Sequence, residues 1–280
     1  SEGLRCELDV AAFPPDAPEA AGMSEVVYPT PFGDYTGWFA AGVGTTWLIL
    51  VHGKDSSHRE MLRMVEAARG HQLPTLSVIY RNDEGAPATD DGMFHFGRDE
   101  WRDLEAAVEY AMANGATDVV IAAESIGAPV ALWFLHQSAL GERVRGMLLD
   151  SSALDMGSAA LWVGKNTSPL PRPLVRLGMV AAALRFGFNW ADYDTRPVFG
   201  ELGIPVTLVH GERDGQMPIA VSEQVAAMHP ELVTLVRVPG AGHCQTWNAD
   251  PARYEAMVDS LISRALGRPE AAAAGVDSTS

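Results

Sequence analysis

Asp118-Val119-Val120-Ile121-Ala122-Ala123-Glu124-Ser125-Ile126-Gly127-Ala128-Pro129-Val130-Ala131-Leu132-Trp133-Phe134-Leu135 is the stretch from which the fold is read. It opens on a short apolar run, Asp118 to Ala122, and closes on a longer one from Ala128 to Leu135. Between them lies Ala123-Glu124-Ser125-Ile126-Gly127, a serine among small residues. The pattern predicts a strand, a tight turn with Ser125 at its apex, and a helix. A serine hydroxyl is a poor nucleophile at neutral pH. It needs exposure, a base and a place for a developing oxyanion. A sharp strand-to-helix turn supplies the exposure and aims the first helical N–H groups at the same spot. Ser125 is therefore the candidate nucleophile. The plainer alternative, a serine that only opens a helix, does not account for the small residues on both sides.

Further strands and helices alternate on either side of this unit. Val26–Thr30 and Tyr35–Phe39 flank Pro31-Phe32-Gly33-Asp34, which predicts a hairpin. Thr46 to Val51 is a continuous apolar run of the kind found in buried parallel strands, and it ends at His52-Gly53. Helical periodicity follows over Arg59–Arg69, then a strand over Leu76–Ile79, then a polar loop from Tyr80 to Arg98. Trp101–Ala113 predicts a helix with Leu104, Ala107, Val108 and Ala111 on one side. Strands are expected over Val144–Asp150, Pro205–His210 and Val233–Val238, and helices over Ile219–Met228 and Arg253–Leu266. The fold class is therefore α/β, with a mostly parallel central sheet flanked by helices.

Residues 25–155 and 204–268 form the expected single core domain. Residues 1–24 read as an irregular N-terminal segment and 269–280 as a disordered tail. Residues 156–203 break the alternation. They are long for a connection and hold Trp162, Leu174, Leu177, Phe186, Phe188 and Trp190 among other apolar residues. They are expected to form a mostly helical lid over the C-terminal edge of the sheet, where open α/β sheets bind ligands. A peripheral helix pair is the alternative.

Composition narrows the partners. The net charge is −16 with no basic block, which argues against nucleic acid or an anionic membrane. No stretch approaches the roughly 20 apolar residues that span a bilayer. Cys6 and Cys244 are too few and too ill-spaced for a disulfide scaffold or a metal site. A small-molecule substrate, no metal, no cofactor and a cytoplasmic location are expected, and the oligomeric state is not readable. The chain begins at Ser1 rather than Met, which leaves open that a leader was removed. The preference for Arg over Lys, with abundant Ala and Gly, resembles the coding bias of a GC-rich bacterium.

A nucleophilic serine needs a base and an orienting acid. His243 follows a predicted strand in Pro239-Gly240-Ala241-Gly242-His243, where two glycines make a loop able to present an imidazole. Asp214 follows the preceding strand in His210-Gly211-Glu212-Arg213-Asp214. Ser125, Asp214 and His243 thus stand in the order Ser…Asp…His, each past the C-terminal end of a strand. Asp150 and Asp155 are rival acids, since they follow the strand ending at Asp150.

These stretches, together with Leu50-Val51-His52-Gly53, resemble the α/β-hydrolase superfamily over nearly the whole chain. Tyr80-Arg81-Asn82-Asp83 and Glu100-Trp101-Arg102-Asp103-Leu104 are similar to a group of actinobacterial hydrolases. The resemblance implies an α/β-hydrolase fold, with Ser125 as nucleophile, His243 as general base and then acid, and Asp214 as orienting carboxylate. It also implies backbone oxyanion donors from Lys54 or Asp55 and from Ile126. Ala123 departs from the usual Gly-x-Ser-x-Gly pattern.

The expected activity is cleavage of a carboxylic ester or thioester of a small, moderately apolar molecule through an acyl-serine. Acyl transfer, lyase, C–C or cyclase chemistry on the same scaffold, or ligand binding without catalysis, are the alternatives. His52, Phe94, Phe96, Trp162 and Trp190 are the side chains expected around the substrate. For Phe94 and Phe96, anchoring the long loop is an equal alternative. For His52 the preferred reading is shaping of the oxyanion turn.

Overall fold

The computed structural model describes residues 16–54, 58–167 and 170–268. Asp55, residues 1–15 and the expected tail at 269–280 lie outside them. A single turn of helix, α1 (Ala17–Ala20), leads into the hairpin β1 (Ser24–Thr30) and β2 (Gly33–Ala40), with Tyr28 opposite Tyr35. Then come β3 (Thr46–Val51), α2 (Val65–Gly70), β4 (Thr75–Val78), α3 (Trp101–Ala113), β5 (Asp118–Glu124), α4 (Gly127–Gln137) and β6 (Val144–Asp150). After the insert, β7 (Val206–Gly211), α7 (Ile219–Met228), β8 (Val233–Val238), the short α8 (Thr246–Ala249) and α9 (Pro251–Ala265) complete the chain.

The eight strands form one sheet in the order β1-β2-β4-β3-β5-β6-β7-β8. β1 and β2 are antiparallel, β2 pairs antiparallel with β4, and β3 to β8 run parallel. From β3 the chain first steps outward to β4 and then returns to β5 on the other side. The strand order therefore reverses between β3 and β5, and ligands of such sheets bind at that point. His52-Gly53 and Ser125 stand at the C-terminal ends of these two strands.

The apolar runs explain the layers. Trp47, Ile49 and Val51 of β3, with Val119 and Ile121 of β5, pack on one face under α3, α4 and α7. Leu48, Leu50, Val120 and Ala122 point to the other face, against α2 and α9. Side chains alternate along each strand while both faces are buried, so a continuous apolar run is required. The periodicity read over Arg59–Arg69 begins as a 3₁₀ turn, His58–Met64, before α2 starts. Met61 and Met64 are both buried at a three-residue spacing, which suits that tighter turn.

The insert is helical: α5 (Met156–Thr167), α6 (Arg172–Phe186) and two 3₁₀ turns, Trp190–Tyr193 and Arg196–Glu201. Its apolar residues do not all turn inward. Leu174, Leu177, Val180, Leu184 and Phe186 of α6 are exposed, and no α6 residue is buried. α6 packs mainly on α5, where a side chain on Gly164 would collide with Val175, so its far side meets solvent. Among the described residues no helix is long and apolar enough to cross a membrane.

Candidate active site

β5 delivers Ser125 into a sharp turn. Its φ is +49°, a left-handed conformation that costs a residue with a side chain about 1 kcal/mol or more. The turn is pinned from three sides: Ser125 N–H donates to Asp150 O (2.9 Å), while its carbonyl accepts from Ala128 N–H (3.2 Å) and Ala153 N–H (3.1 Å). Gly127 is dictated by crowding. A Cβ there would sit 2.5 Å from Val51 O and 2.6 Å from His52 O, so α4 starts against the end of β3. Ala123 lies fully buried in the core beneath α3 and α4, which accommodates the methyl that departs from the glycine pattern. Gly127→Ala is expected to destabilise the protein by about 3 kcal/mol, because the clash is with backbone and cannot relax by side-chain rotation. Chemical denaturation of the purified variant measures this; an unchanged midpoint would refute the crowding argument.

The loop after β8 carries His243 to Ser125. His243 Nε2 is 2.9 Å from Ser125 Oγ, and Nδ1 is 2.8 Å from Asp214 Oδ2. Asp214 Oδ1 accepts from the Gln216 and Met217 N–H groups, both at 2.8 Å. With a carboxylate as partner, Nδ1 carries the proton and Nε2 accepts from the serine hydroxyl. The loops bearing Asp214 and His243 are locked together by backbone. Arg213 N–H donates to Ala241 O (2.9 Å), and a Cβ on Gly211 would lie 2.5 Å from that same oxygen. Asp150 does not contact His243. Its Oδ1 accepts from Ser151 Oγ (3.0 Å) and its Oδ2 from Thr246 Oγ1, while Ser151 Oγ accepts from Cys244 N–H (3.0 Å). The rival acid thus braces the segment that follows the histidine. Asp155 is likewise engaged, by Ser158 (2.6 Å to Oγ) and Arg196 (3.1 Å).

One participant escaped the sequence reading. His210, the penultimate residue of β7, is buried with Nε2 3.1 Å from Met217 O, 3.5 Å from Asp214 Oδ2, and Nδ1 2.9 Å from Ser222 Oγ. A carbonyl only accepts, so Nε2 holds the hydrogen and Nδ1 takes the Ser222 hydroxyl. Burial pushes its pKa below the ordinary histidine value, in keeping with a neutral ring. His210 thus fixes the 214–217 turn from beneath. Its signal was its place at the end of an apolar strand, four residues before Asp214. The Cys244 thiol is pushed well above its usual pKa by burial, which leaves it protonated and unreactive at neutral pH.

Two of the expected oxyanion donors, Lys54 and Ile126, have their backbone close to Ser125. A Cβ on Gly53 would be 3.1 Å from Ser125 Cβ, so the backbone leading to Lys54 passes directly beside the serine. Ile126 directly follows Ser125 and is the N-cap residue of α4. Asp55, the other expected donor, is outside the described residues. The carboxylate of Glu124, next to Ser125, meets Arg63 in an ion pair buried on both sides.

The side chains expected around the substrate divide. Phe94, Phe96 and Trp190 line a cavity of about 720 Å³ between the 91–102 segment, α4 and the end of α6. Ser125 and His243 are not among its lining residues. The other two lie elsewhere. Trp162 lies on another, smaller cavity between α5, α6 and α7, and its indole N–H donates to the Asp214 carbonyl (3.1 Å), so it supports the acid loop. His52 is fully buried and lines neither cavity. Its Nδ1 is 2.7 Å from Gly53 O, its Nε2 2.9 Å from Asp83 Oδ2, and its ring stacks on Tyr80. With both nitrogens engaged it shapes the turn, as preferred from the sequence. The Tyr80–Asp83 and Glu100–Leu104 motifs are also supports: Arg81 grips Asp103 through Nε (2.8 Å) and Nη2 (3.0 Å).

No protein-family model matches the sequence. No curated protein matches it by sequence either. Solved structures do resemble it. The esterase Pf2001 of Pyrococcus furiosus superposes with a TM-score of 0.71 at 17% identity, covering 94% of this chain and 99% of that one. An esterase from Thermogutta terrifontis gives 0.59 at 16% identity, with coverages of 86% and 99%. A bacterial membrane phospholipase A gives 0.62 at 16% identity, with 89% of each chain covered. The chain has the α/β-hydrolase fold.

Proposed function

We propose that this α/β-hydrolase-fold protein is a serine hydrolase that cleaves a carboxylic ester or thioester of a small, moderately apolar molecule. The observation that carries the reading is the unbroken hydrogen-bonded chain Asp214–His243–Ser125 at the strand-order reversal of the sheet. Ser125 Oγ attacks the carbonyl carbon as His243 Nε2 takes its proton. Asp214 stabilises the resulting imidazolium without accepting the proton. The Ile126 and Lys54 N–H groups receive the oxyanion. The imidazolium then protonates the leaving group. Water, deprotonated by the same histidine, resolves the acyl-serine. The esterase names among the structural neighbours support ester cleavage as the reaction class.

A fluorophosphonate probe tests the reading. It should label the protein once, at Ser125, with the site identified by peptide mass spectrometry, and Ser125→Ala should abolish labelling. Absence of labelling in folded protein would overturn the proposal. Product analysis with p-nitrophenyl esters of graded chain length then separates hydrolysis from acyl transfer.

A further inference from the structure

The 720 Å³ cavity beside the site has a wall of aromatic rings and a self-neutralising set of charges. Phe96, Tyr193, Phe188 and Trp190 form a continuous edge-to-face series, with successive centroids 5.7, 5.6 and 4.9 Å apart. The series begins beside the catalytic turn, because Phe96 and Phe94 also pack against the cluster that holds Ile126 and Met217. Phe96 therefore stands between the Ser125 turn and the cavity.

Its placement is enforced. Phe96 has a φ of +48°, rare for a bulky residue. The fully buried Glu100 carboxylate accepts from the N–H groups on both sides of it, His95 (2.6 Å) and Gly97 (2.8 Å). Gly97 in turn presses on α4, where a Cβ would lie 2.5 Å from the Pro129 carbonyl carbon. Backbone strain held by a buried carboxylate is costly and is concentrated at functional positions.

The charged side chains around the cavity are paired with one another. His95 lies between Asp91 (2.9 Å) and Asp99 (2.5 Å), Arg102 is 3.2 Å from Asp99, and Arg98 is 3.2 Å from Asp192. Burial opposes a charge on His95, yet its bonds to Asp91 and Asp99 outweigh that and raise its pKa above the ordinary value. Each lining carboxylate and guanidinium thus already has a polar partner, and a charged ligand would have to compete with that partner to be accepted. The volume falls within the range of small-molecule sites, and aromatic edges favour a planar aromatic partner.

We infer that this cavity binds an uncharged aromatic group of the substrate, with the clamped Phe96 ring as the wall that sets its distance from Ser125. The binding half stands alone; the link to turnover rests on the proposed serine chemistry. Isothermal calorimetry at pH 7 with 2-naphthol and 2-naphthoate tests the first half. 2-Naphthol should bind at least about tenfold more tightly than the anion, and Phe188→Ala should weaken it by about tenfold. No binding of 2-naphthol, or equal binding of the two, would overturn the inference whether or not Phe188→Ala folds. For the second half, kcat/KM for 2-naphthyl acetate should exceed that for methyl acetate, and Phe96→Ala should shift that ratio by about tenfold or more. An unchanged ratio in folded Phe96→Ala would refute its role as the wall. If 2-naphthol binds while the fluorophosphonate fails to label, the serine reading falls and the binding site remains. If the probe labels Ser125 and 2-naphthol does not bind, only the cavity assignment falls.

Discussion

Ser125→Ala is expected to lower kcat by about 10⁶ on any ester the protein cleaves, the loss typical of a serine triad deprived of its nucleophile. The oxyanion donors and the pocket survive the change, so a residual rate above that of water should persist. The fold should survive too, since the hydroxyl's partner is His243 rather than the core. Alanine inherits the strained φ of +49°, whereas Ser125→Gly would relieve it. The glycine variant should therefore be equally inactive but more stable than the alanine variant, by about 1 kcal/mol. Initial rates with p-nitrophenyl butyrate and thermal melts of the three proteins check both claims. A loss of less than tenfold would remove Ser125 from the mechanism.

Asp214→Asn should cost about 10⁴ in kcat with the fold intact, and the direction follows from hydrogen-bond bookkeeping. The Gln216 and Met217 N–H groups both donate to Oδ1, so the asparagine carbonyl must take that position. Its NH₂ then faces His243 Nδ1 and donates to it. The imidazole switches tautomer, Nε2 acquires the hydrogen, and it can no longer accept from Ser125. Asp150→Asn is the control. Its partners are the hydroxyls of Ser151 and Thr246, which can rotate to accept as well as donate, so kcat should change by less than about tenfold. Steady-state kinetics of the two variants side by side would decide. If Asp150→Asn were the more damaging, the acid would belong to β6.

Much of the frame was legible because burial on both faces forces unbroken apolar strands. β3, β6, β8, α3 and α7 begin and end at the residues read from the pattern. Ser125, Asp214 and His243, which form one hydrogen-bonded chain, were legible because each follows a strand and the order along the chain is itself informative. What the pattern hid is what long-range packing decides. Trp162 reads as a large apolar side chain, and nothing in the pattern shows that its indole N–H meets the Asp214 carbonyl across the molecule. α6 leaves Leu174, Leu177 and Phe186 exposed because it packs mainly on α5, and the sequence pattern carries no information about whether a further neighbour exists to cover them. His210 was overlooked since a histidine within an apolar strand reads as a fault in the run until its three polar contacts are seen.

The two glycine crossings, α4 against the end of β3 and β7 against the loop of His243, bear on how such a protein can change. Both are contacts of main chain with the space of a missing side chain, so part of the spacing of the serine, histidine and aspartate is set by backbone rather than by side chains. A mutant library that varies the 86–94 loop or α6 while keeping Gly127 and Gly211 should retain reactive clones at high frequency and differ among them in what they accept. Evolvability of specificity, on this scaffold, is then inherited from two positions that never touch a substrate.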